Sequence, residues 1–270
     1  MPELPEVETT KRGIAPHVVS QCVTSVLVRE PRLRWPVPHD LANILSGQTF
    51  DRVSRRAKYL LLETEIGALM VHLGMSGSLR LVSPDEPLKK HDHIDIGLSN
   101  GLTLRFHDPR RFGSVHWLDD VTNHPLLSHL GPEPFSEDFN ADYLFAKSRG
   151  RTSSIKQFIM DAKVVVGVGN IYANEALFMS GIRPDSAANK ISRIRYQRLV
   201  QAIKEVLDFA IGVGGTTLRD FVGGDGKAGY FAQQLSVYGR SGQACVGCGR
   251  TLKEIRQSNR SSVFCYSCQR

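Results

Sequence analysis

The fold of the first half of this chain is decided by residues 94–106, Ile94-Asp95-Ile96-Gly97-Leu98-Ser99-Asn100-Gly101-Leu102-Thr103-Leu104-Arg105-Phe106. Apolar residues alternate with other residues on both sides of Ser99-Asn100-Gly101, which is the pattern of a strand with one buried face. Asn100 and Gly101 both accept a positive φ, and Asn-Gly between two alternating runs is the strongest short signal for a β-hairpin. The stretch therefore predicts two neighbouring antiparallel strands.

Short strand-like runs lie on both sides of this hairpin. They cover residues 23–28, 49–64, 68–73, 78–82 and 115–117. Because turns separate these runs, the pattern predicts an antiparallel β-sandwich. Ahead of the first run, Pro5 suits the first turn of a helix, and the carboxylates of Glu6 and Glu8 favour a helix N-terminus. We expect this opening helix to end near Ser20.

Composition limits the class of protein. The 270 residues suffice for two domains with proper cores, and 41% of them are hydrophobic, as in an ordinary globular protein. No run of apolar residues is long enough to span a membrane, and the N-terminus lacks the apolar core of a signal peptide, so we expect a cytoplasmic protein. A net charge of +7 and a pI of about 9.3 suit a polyanion such as nucleic acid. Scattered surface lysines would give the same balance.

The second half has a different pattern. Two prolines in residues 131–134, Gly-Pro-Glu-Pro, mark a boundary because they stop regular structure. Helices are predicted at 143–148, after Ser153 or Ser154, from about Asn170 to Ser180, and from Ser192 onward. Asn170 is expected to cap its helix, and the glycines before it would present backbone amides to a phosphate.

The chain divides into three predicted domains, 1–131, 132–235 and 236–270. Within the second domain, residues 212–230 are rich in glycine. A linker would have this composition, but the segment also holds Leu218 and Phe221, which a pure linker would lack. We therefore interpret it as a lid.

The last module holds four of the five cysteines, in the spacing Cys245-x2-Cys248-x16-Cys265-x2-Cys268. Two such CxxC pairs predict a tetrahedral four-thiolate zinc site, and four protein ligands leave no open position, so the Zn²⁺ would be structural. Several arginines, Arg260 among them, lie between the pairs and would suit phosphate binding. A zinc ribbon that contacts proteins is the alternative.

Two segments before residue 80 carry side chains suited to binding. Arg55, Arg56 and Lys58 form a basic cluster ahead of an apolar strand, although a solvated strand end would look the same. Met75 lies in a loop between two glycines, from which it either protrudes or turns into the core.

Two later segments are also candidates. The loop 108–113 presents Arg110 and Phe112 between a proline and a glycine, as a protein needs in order to fill a gap in a base stack. His91, with Asp92 and His93, is a weak metal pattern, and we interpret His91 as a surface or phosphate contact.

The N-terminus is a candidate nucleophile. Met before a small residue is usually removed, which would leave the secondary amine of Pro2 with a pKa of roughly 8. A neutral amine attacks an aldehyde carbon to form an iminium, and Glu3 could act as a general acid or base beside it. The same residues, taken alone, fit an ordinary helix start.

Together these motifs resemble bacterial formamidopyrimidine-DNA glycosylase, a bifunctional base-excision family that acts on oxidised purines. The resemblance covers nearly the whole chain. It rests on PELPEVE at 2–8, RRAKYL at 55–60, HLGMSG at 72–77, DPRRFG at 108–113, GVGNIYANEAL at 167–177 and the four-cysteine module. It implies an α+β multidomain fold, with an N-terminal β-sandwich that carries an N-terminal helix, a helix–two-turns–helix domain and a C-terminal zinc-finger β-hairpin.

The resemblance also implies a role for each matching residue. Pro2 would form the Schiff base, with Glu3 as proton donor and Glu6 ordering the site. Lys58 would donate a proton in β-elimination, and Arg260 would serve δ-elimination. The DNA contacts implied are His72, His91, Arg110, Arg151, Asn170 and Tyr238, with Met75, Arg110 and Phe112 filling the space left by the extruded nucleotide. The implied partner is double-stranded DNA that contains oxidised purines or abasic sites, bound by a monomer holding one structural Zn²⁺.

Two other functions compete with this one. An endonuclease VIII-type enzyme of the same superfamily would prefer oxidised pyrimidines, but such relatives typically lack this form of the opening and the DPRRFG loop. A zinc-ribbon protein without catalysis would bind DNA and leave an abasic site uncut.

Overall fold

The computed structural model describes residues 2–215 and 234–270. Of the glycine-rich segment interpreted as a lid, residues 216–230 lie outside these ranges. The described residues form two compact units, one of residues 2–128 with 213–215 and one of residues 129–212 with 234–270. Among them, no helix is long and apolar enough to cross a membrane.

The first unit contains two antiparallel sheets and three helices. The helices are α1 (Leu4–Val18), α2 (Leu41–Leu45) and α3 (Pro125–Ser128). The strands are β1 (Val23–Val28), β2 (Arg52–Arg56), β3 (Tyr59–Thr64), β4 (Gly67–His72), β5 (Ser78–Val82), β6 (Asp92–Leu98), β7 (Thr103–His107) and β8 (Ser114–Leu118). One sheet has the order β1-β6-β7-β5 and the other the order β2-β3-β4-β8.

The predicted hairpin of residues 94–106 forms the centre of the first sheet. Ile96 pairs with Leu104 across β6 and β7, and Gly101 in the turn has a φ of +81°. Side chains from both sheets and from α1 share one core, which includes Ile96, Leu104 and Phe106 together with Leu60 and Val71. Each fully buried side chain of this size stabilises the fold by about 1.5–3 kcal/mol relative to exposure. The predicted β-sandwich with an N-terminal helix is therefore confirmed.

The second unit is helical, as predicted. Its helices are α4 (Ala141–Ser148), α5 (Ile155–Met160), α6 (Asn170–Met179) and α7 (Arg193–Gly212), with a 3₁₀ turn at Ala188–Lys190. Ser154 caps α5 and accepts a hydrogen bond from the backbone N–H of Gln157. The prediction that Asn170 caps α6 is wrong by one residue, because Gly169 has the extended backbone of the cap and Asn170 begins the helix.

The chain ends in a two-stranded hairpin, β9 (Lys253–Gln257) and β10 (Arg260–Phe264). Its two-residue turn has φ of 47° at Ser258 and 60° at Asn259. Two positive φ angles match the twist of the flanking strands, which is why such turns join antiparallel strands tightly. Arg260 therefore stands at the tip of the hairpin. A small core beneath it contains Val237, Leu252, Val263 and two of the cysteines, Cys245 and Cys265.

Candidate active site

The N-terminal segment carries buried carboxylates beside the candidate nucleophile. Pro2 is buried, and Glu3 and Glu6 are each only 2% exposed. Glu6 Oε2 accepts a 2.8 Å hydrogen bond from the backbone N–H of Glu3, so one carboxylate holds the backbone that carries the other. Both lie at the N-terminus of α1, where the helix dipole favours negative charge. Two buried carboxylates therefore follow closely in sequence after the N-terminal amine that Met1 removal would free.

Lys58 lies at the tip of the hairpin formed by β2 and β3. Arg56 pairs with Tyr59, so Ala57 and Lys58 form a two-residue turn, in which Ala57 has a φ of 55°. Lys58 is partly exposed. Within this basic cluster, Arg55 departs from the alternative of a solvated strand end because its side chain is only 10% exposed, whereas Arg56 and Lys58 are both partly exposed.

The loops that carry Met75 and Phe112 lie against each other. A Cβ added to Gly74, which has a φ of +66°, would come within 2.3 Å of the backbone nitrogen of Gly113. Met75 is 38% exposed and Phe112 is 43% exposed, so both apolar side chains point away from the core. The alternative in which Met75 turns into the core is therefore wrong.

A buried carboxylate joins these two loops. Asp108 is fully buried and accepts hydrogen bonds from Ser76 Oγ at 2.9 Å and from the Gly113 backbone N–H at 2.7 Å. Beyond it, the Arg110 guanidinium lies 4.9 Å from the centre of the Phe112 ring, within cation–π range. The arrangement presents an aromatic ring, a guanidinium and a thioether on one short stretch of surface.

His72 is a neutral hydrogen-bond donor. Its Nδ1 accepts a 3.0 Å hydrogen bond from the backbone N–H of Gly74, which leaves the proton on Nε2. Burial, together with the nearby charges of Lys58 and Arg34, lowers the pKa of His72 to about 4. At neutral pH this side chain therefore offers one oriented N–H and no charge.

His91 lies among other histidines. Its ring centre is 6.2 Å from that of His93 and 6.0 Å from that of His107. Burial and the charge of Lys90 lower the pKa of His91. Among the described residues, the only cluster able to hold a metal is the set of four cysteines, so the weak His91-Asp92-His93 pattern finds no support as a metal site.

In the second unit, α6 organises several predicted site residues. Asn170 begins the helix and is partly exposed, with a buried Oδ1 that has no hydrogen-bond partner among the described residues. One turn later, Asn174 Oδ1 accepts from the Val263 backbone N–H at 2.8 Å. Glu175 accepts hydrogen bonds of 2.8–3.0 Å from the successive backbone N–H groups of residues 236–238. Helix α6 thus holds the C-terminal hairpin through Val263 and holds the backbone of Tyr238 through Glu175.

Asn174 and Glu175 were missed in the sequence analysis. The signal available was their polarity inside an otherwise apolar helix, where both are buried. Arg151 and Arg260 are exposed, as their predicted contacts with DNA require. Beside Arg260, Lys156 is only 1% exposed and donates hydrogen bonds to Ser261 O at 2.6 Å and Ser262 Oγ at 2.7 Å. This buried lysine ties α5 to the hairpin that presents Arg260.

The four cysteine sulfurs fit one tetrahedral metal. All four lie within 4.8 Å of one another, with Cys245 Sγ 3.9 Å from Cys268 Sγ and Cys248 Sγ 3.5 Å from Cys265 Sγ. Four thiolates at about 2.3 Å from a shared zinc stand about 3.8 Å apart, so the cluster needs little adjustment. The backbone N–H of Gly247 also points at Cys245 Sγ, at 3.4 Å, which would stabilise a thiolate there. The cluster is therefore compatible with a structural zinc site.

Comparison with known proteins gives consistent matches. Residues 1–115 match the model of the formamidopyrimidine-DNA glycosylase N-terminal domain, and residues 130–222 match that of the formamidopyrimidine-DNA glycosylase H2TH domain. A formamidopyrimidine-DNA glycosylase of Thioalkalivibrio sulfidiphilus is 62% identical, with 100% of both chains covered.

Two solved structures of Lactococcus lactis Fpg, also called MutM, are similar in fold. The complex with DNA containing an abasic site has a TM-score of 0.91 at 34% identity, with 99% of each chain covered. The complex with DNA containing N7-benzyl-Fapy-dG has a TM-score of 0.91 at 35% identity, again with 99% of each chain covered. On these matches and on the fold described above, this chain belongs to the formamidopyrimidine-DNA glycosylase family of DNA-repair enzymes.

Proposed function

We propose that this enzyme excises oxidised purines from double-stranded DNA and then cuts the strand by β,δ-elimination through a Schiff base on Pro2. The observation that carries the proposal is the burial of Glu3 and Glu6 directly after Pro2. The two carboxylates form the capping box of α1, and the same burial puts two groups able to carry a proton close to the Pro2 amine. The lesion and abasic DNAs bound by the Lactococcus lactis relative support the substrate class.

The chemistry begins at the N-terminal amine. The Pro2 nitrogen uses its lone pair to attack C1′, and the glycosidic bond breaks with its electron pair going to the base, which takes up a proton. Glu3 donates a proton as the sugar ring opens at O4′, and a positively charged iminium forms between nitrogen and C1′. This charge acidifies the C2′ proton. Its loss gives an enamine, whose electrons then expel the 3′ phosphate from C3′.

Two basic residues serve the eliminations. Lys58, at the tip of its hairpin, binds the departing 3′ phosphate and gives a proton to the leaving oxygen. Arg260, at the tip of the second hairpin, binds the 5′ phosphate in the following δ-elimination. Loss of the C4′ proton gives a dienamine, whose electrons form a C4′–C5′ double bond and expel that phosphate with its C–O electron pair. Both side chains are at least partly exposed, as contact with a phosphate requires.

Phosphate contacts and wedge residues position the DNA. His72 donates its oriented Nε2–H to a DNA phosphate. The sugar-phosphate backbone of the DNA is also bound by Asn170, Tyr238, His91 and Arg151. Such contacts give an affinity for DNA that decreases as the salt concentration rises, and they discriminate little between base sequences. The target C1′ is out of reach inside a duplex, so the nucleotide must be extruded at a cost of a few kcal/mol. Insertion of Met75, Arg110 and Phe112 into the stack offsets that cost, with Arg110 facing the orphaned cytosine.

We assign one structural Zn²⁺ to Cys245, Cys248, Cys265 and Cys268. When bound, it supplies folding energy to a hairpin whose core is small. The protein acts as a monomer on chromosomal DNA in the cytoplasm, and its three domains are 1–131, 132–235 and 236–270.

Trapping with borohydride tests the proposal. Reduction of the iminium should leave a covalent adduct between the protein and lesion DNA. An uncleavable residue added before Pro2 turns the amine into an amide, so both adduct and strand cleavage should be lost while salt-dependent binding persists. The matched control carries a protease site in the extension, and its removal should restore both. Normal cleavage by the blocked protein would show that Pro2 is not the nucleophile, and binding without any cleavage by the mature protein would favour a non-catalytic role.

A further inference from the structure

A buried ion pair connects α1 to the hairpin that carries Lys58. Arg55 Nε lies 3.1 Å from Glu8 Oε2, and both side chains are only 10% exposed. Glu8 Oε1 is also bonded to Lys11 at 2.8 Å and to Arg12 at 3.0 Å, so its carboxylate is surrounded by positive charge. These charges and hydrogen bonds lower the pKa of Glu8 against the opposing effect of burial. The pair therefore stays charged at neutral pH.

The same guanidinium reaches the turn that contains Lys58. Arg55 Nη1 donates a 2.8 Å hydrogen bond to the carbonyl oxygen of Ala57, the residue just before Lys58. Ala57 is 3% exposed and has a φ of 55°, a conformation that residues with a Cβ adopt rarely. A turn of this kind persists only when its surroundings hold it, and the hydrogen bond from Arg55 is one such contact.

The ion pair is also connected to the buried carboxylates at the start of α1, because Glu8 lies in that helix. Glu8 belongs to the same helix as Glu6, and the Glu6 carboxylate holds the backbone of Glu3. A helix transmits position rigidly over so short a distance, because each residue adds a fixed rise of about 1.5 Å. The N-terminal segment and the Lys58 turn are therefore joined through one carboxylate and one guanidinium.

We infer that Arg55 is a positioning residue that sets the place of Lys58 relative to the Pro2 amine. The inference rests on the proposed roles of Pro2 and Lys58. Arginine suits this task because its planar fork donates in two fixed directions, one toward Glu8 and one toward the Ala57 carbonyl. A lysine ammonium at this position would keep the charge near Glu8 but could not hold both acceptors in the same geometry.

Arg52 provides a matched comparison on the same strand. It pairs with Glu63 at 2.8 Å, but its side chain is 70% exposed and that carboxylate lies on β3 rather than on α1. An Arg→Lys change there alters an exposed ion pair, and such pairs contribute little to stability. Comparison of the Arg52→Lys and Arg55→Lys variants therefore distinguishes two effects. One is the general effect of losing an arginine from β2, and the other is the effect of losing the contact with the Lys58 turn.

The test follows adduct formation and strand cleavage separately on duplex DNA with a preformed abasic site. Arg55→Lys should still give the borohydride adduct at a rate within about 2-fold of wild type, whereas β-elimination should slow by about 10-fold to 100-fold, as a displaced catalytic group predicts. Arg52→Lys should match wild type in both. Added to Lys58→Gln, Arg55→Lys should slow elimination no further, because its effect acts through Lys58.

Other outcomes overturn the inference. One such outcome is that Arg55→Lys slows elimination by the same factor in the Lys58→Gln protein as in the wild-type protein. Another is that it slows adduct formation as much as elimination. Either result would show that Arg55 does not act by positioning Lys58. Thermal melting should show each variant folded. If Arg55→Lys does not fold, Glu8→Gln replaces it, since the neutral amide removes the ion pair that anchors the Arg55 guanidinium and nearly keeps the shape of the side chain. That variant should slow elimination but not trapping, and unchanged elimination refutes the inference. A wild-type protein that yields no adduct refutes the Pro2 mechanism instead.

Discussion

Replacing Phe112 with alanine should slow removal of a damaged base from duplex DNA. The ring is 43% exposed and lies beside the Arg110 guanidinium, at 4.9 Å from its centre. Because nearly half of the side chain already meets solvent, we expect the substitution to change the free energy of unfolding by only about 1 kcal/mol. Any larger effect on excision then reports on DNA rather than on folding.

The size of the effect follows from stacking. An aromatic ring stacked on a base contributes about 1–3 kcal/mol, which corresponds to roughly a 5-fold to 150-fold slower excision when the ring is lost. An abasic site has no base to withdraw from the stack, so elimination there should slow by no more than about 3-fold. The ratio between the two substrates is therefore the diagnostic quantity.

The assay measures both reactions in single turnovers with enzyme in excess. Phe135→Ala is the control, because Phe135 is 44% exposed and belongs to the other compact unit. That variant should excise and eliminate like wild type. Equal slowing of Phe112→Ala on the lesion and on the abasic site would refute the wedge argument. A slowing of excision by Phe135→Ala to the same degree would refute its specificity.

Two further predictions concern the metal and pH. Purified active protein should contain one zinc per chain by elemental analysis, and chelation should weaken DNA binding, since Arg260 would lose its support; active protein without zinc would contradict the assignment. In the folded protein the pKa of His72 is lowered from 6.5 to about 4. Between pH 6.5 and 4 the unfolded chain therefore takes up a proton that the folded chain does not. As a result, the free energy of unfolding falls as the pH drops through this range. Urea unfolding should show that His72→Gln loses less stability than wild type between pH 6.5 and 4, and an unchanged slope would refute this.

Much of the fold could be predicted because its signals are local. The Asn100–Gly101 hairpin, the Ser154 cap and the paired cysteines each depend on residues close together in the chain, and all three have the expected form in the structure. The start of α6 shows the limit of such signals. Gly169 and Asn170 are both acceptable caps by type, and only the extended backbone of Gly169 decides between them.

The polar framework of the site could not be predicted in this way. Asn174 binds the backbone of a residue 89 positions later, and Glu175 binds backbone groups 61–63 positions later. Asp108 joins loops 32 positions apart through Ser76. Contacts at these separations leave no periodic pattern, and a buried carboxylate has the same sequence letter as an exposed one. Their partners become visible only once the fold has brought the chain together.

Net charge illustrates the same limit. A balance of +7 suggests a polyanionic partner, but it counts every basic residue alike. Arg55 is held by the buried carboxylate of Glu8, and Arg105 by that of Asp92. Lys156 is buried against the C-terminal hairpin, so these three cations support the fold rather than face a ligand. Exposed cations such as Arg110 and Arg260 are the ones able to displace counterions from DNA. The inference of DNA binding thus depends on where the basic side chains lie in the structure. The same net positive charge would arise in a protein whose basic residues were all buried.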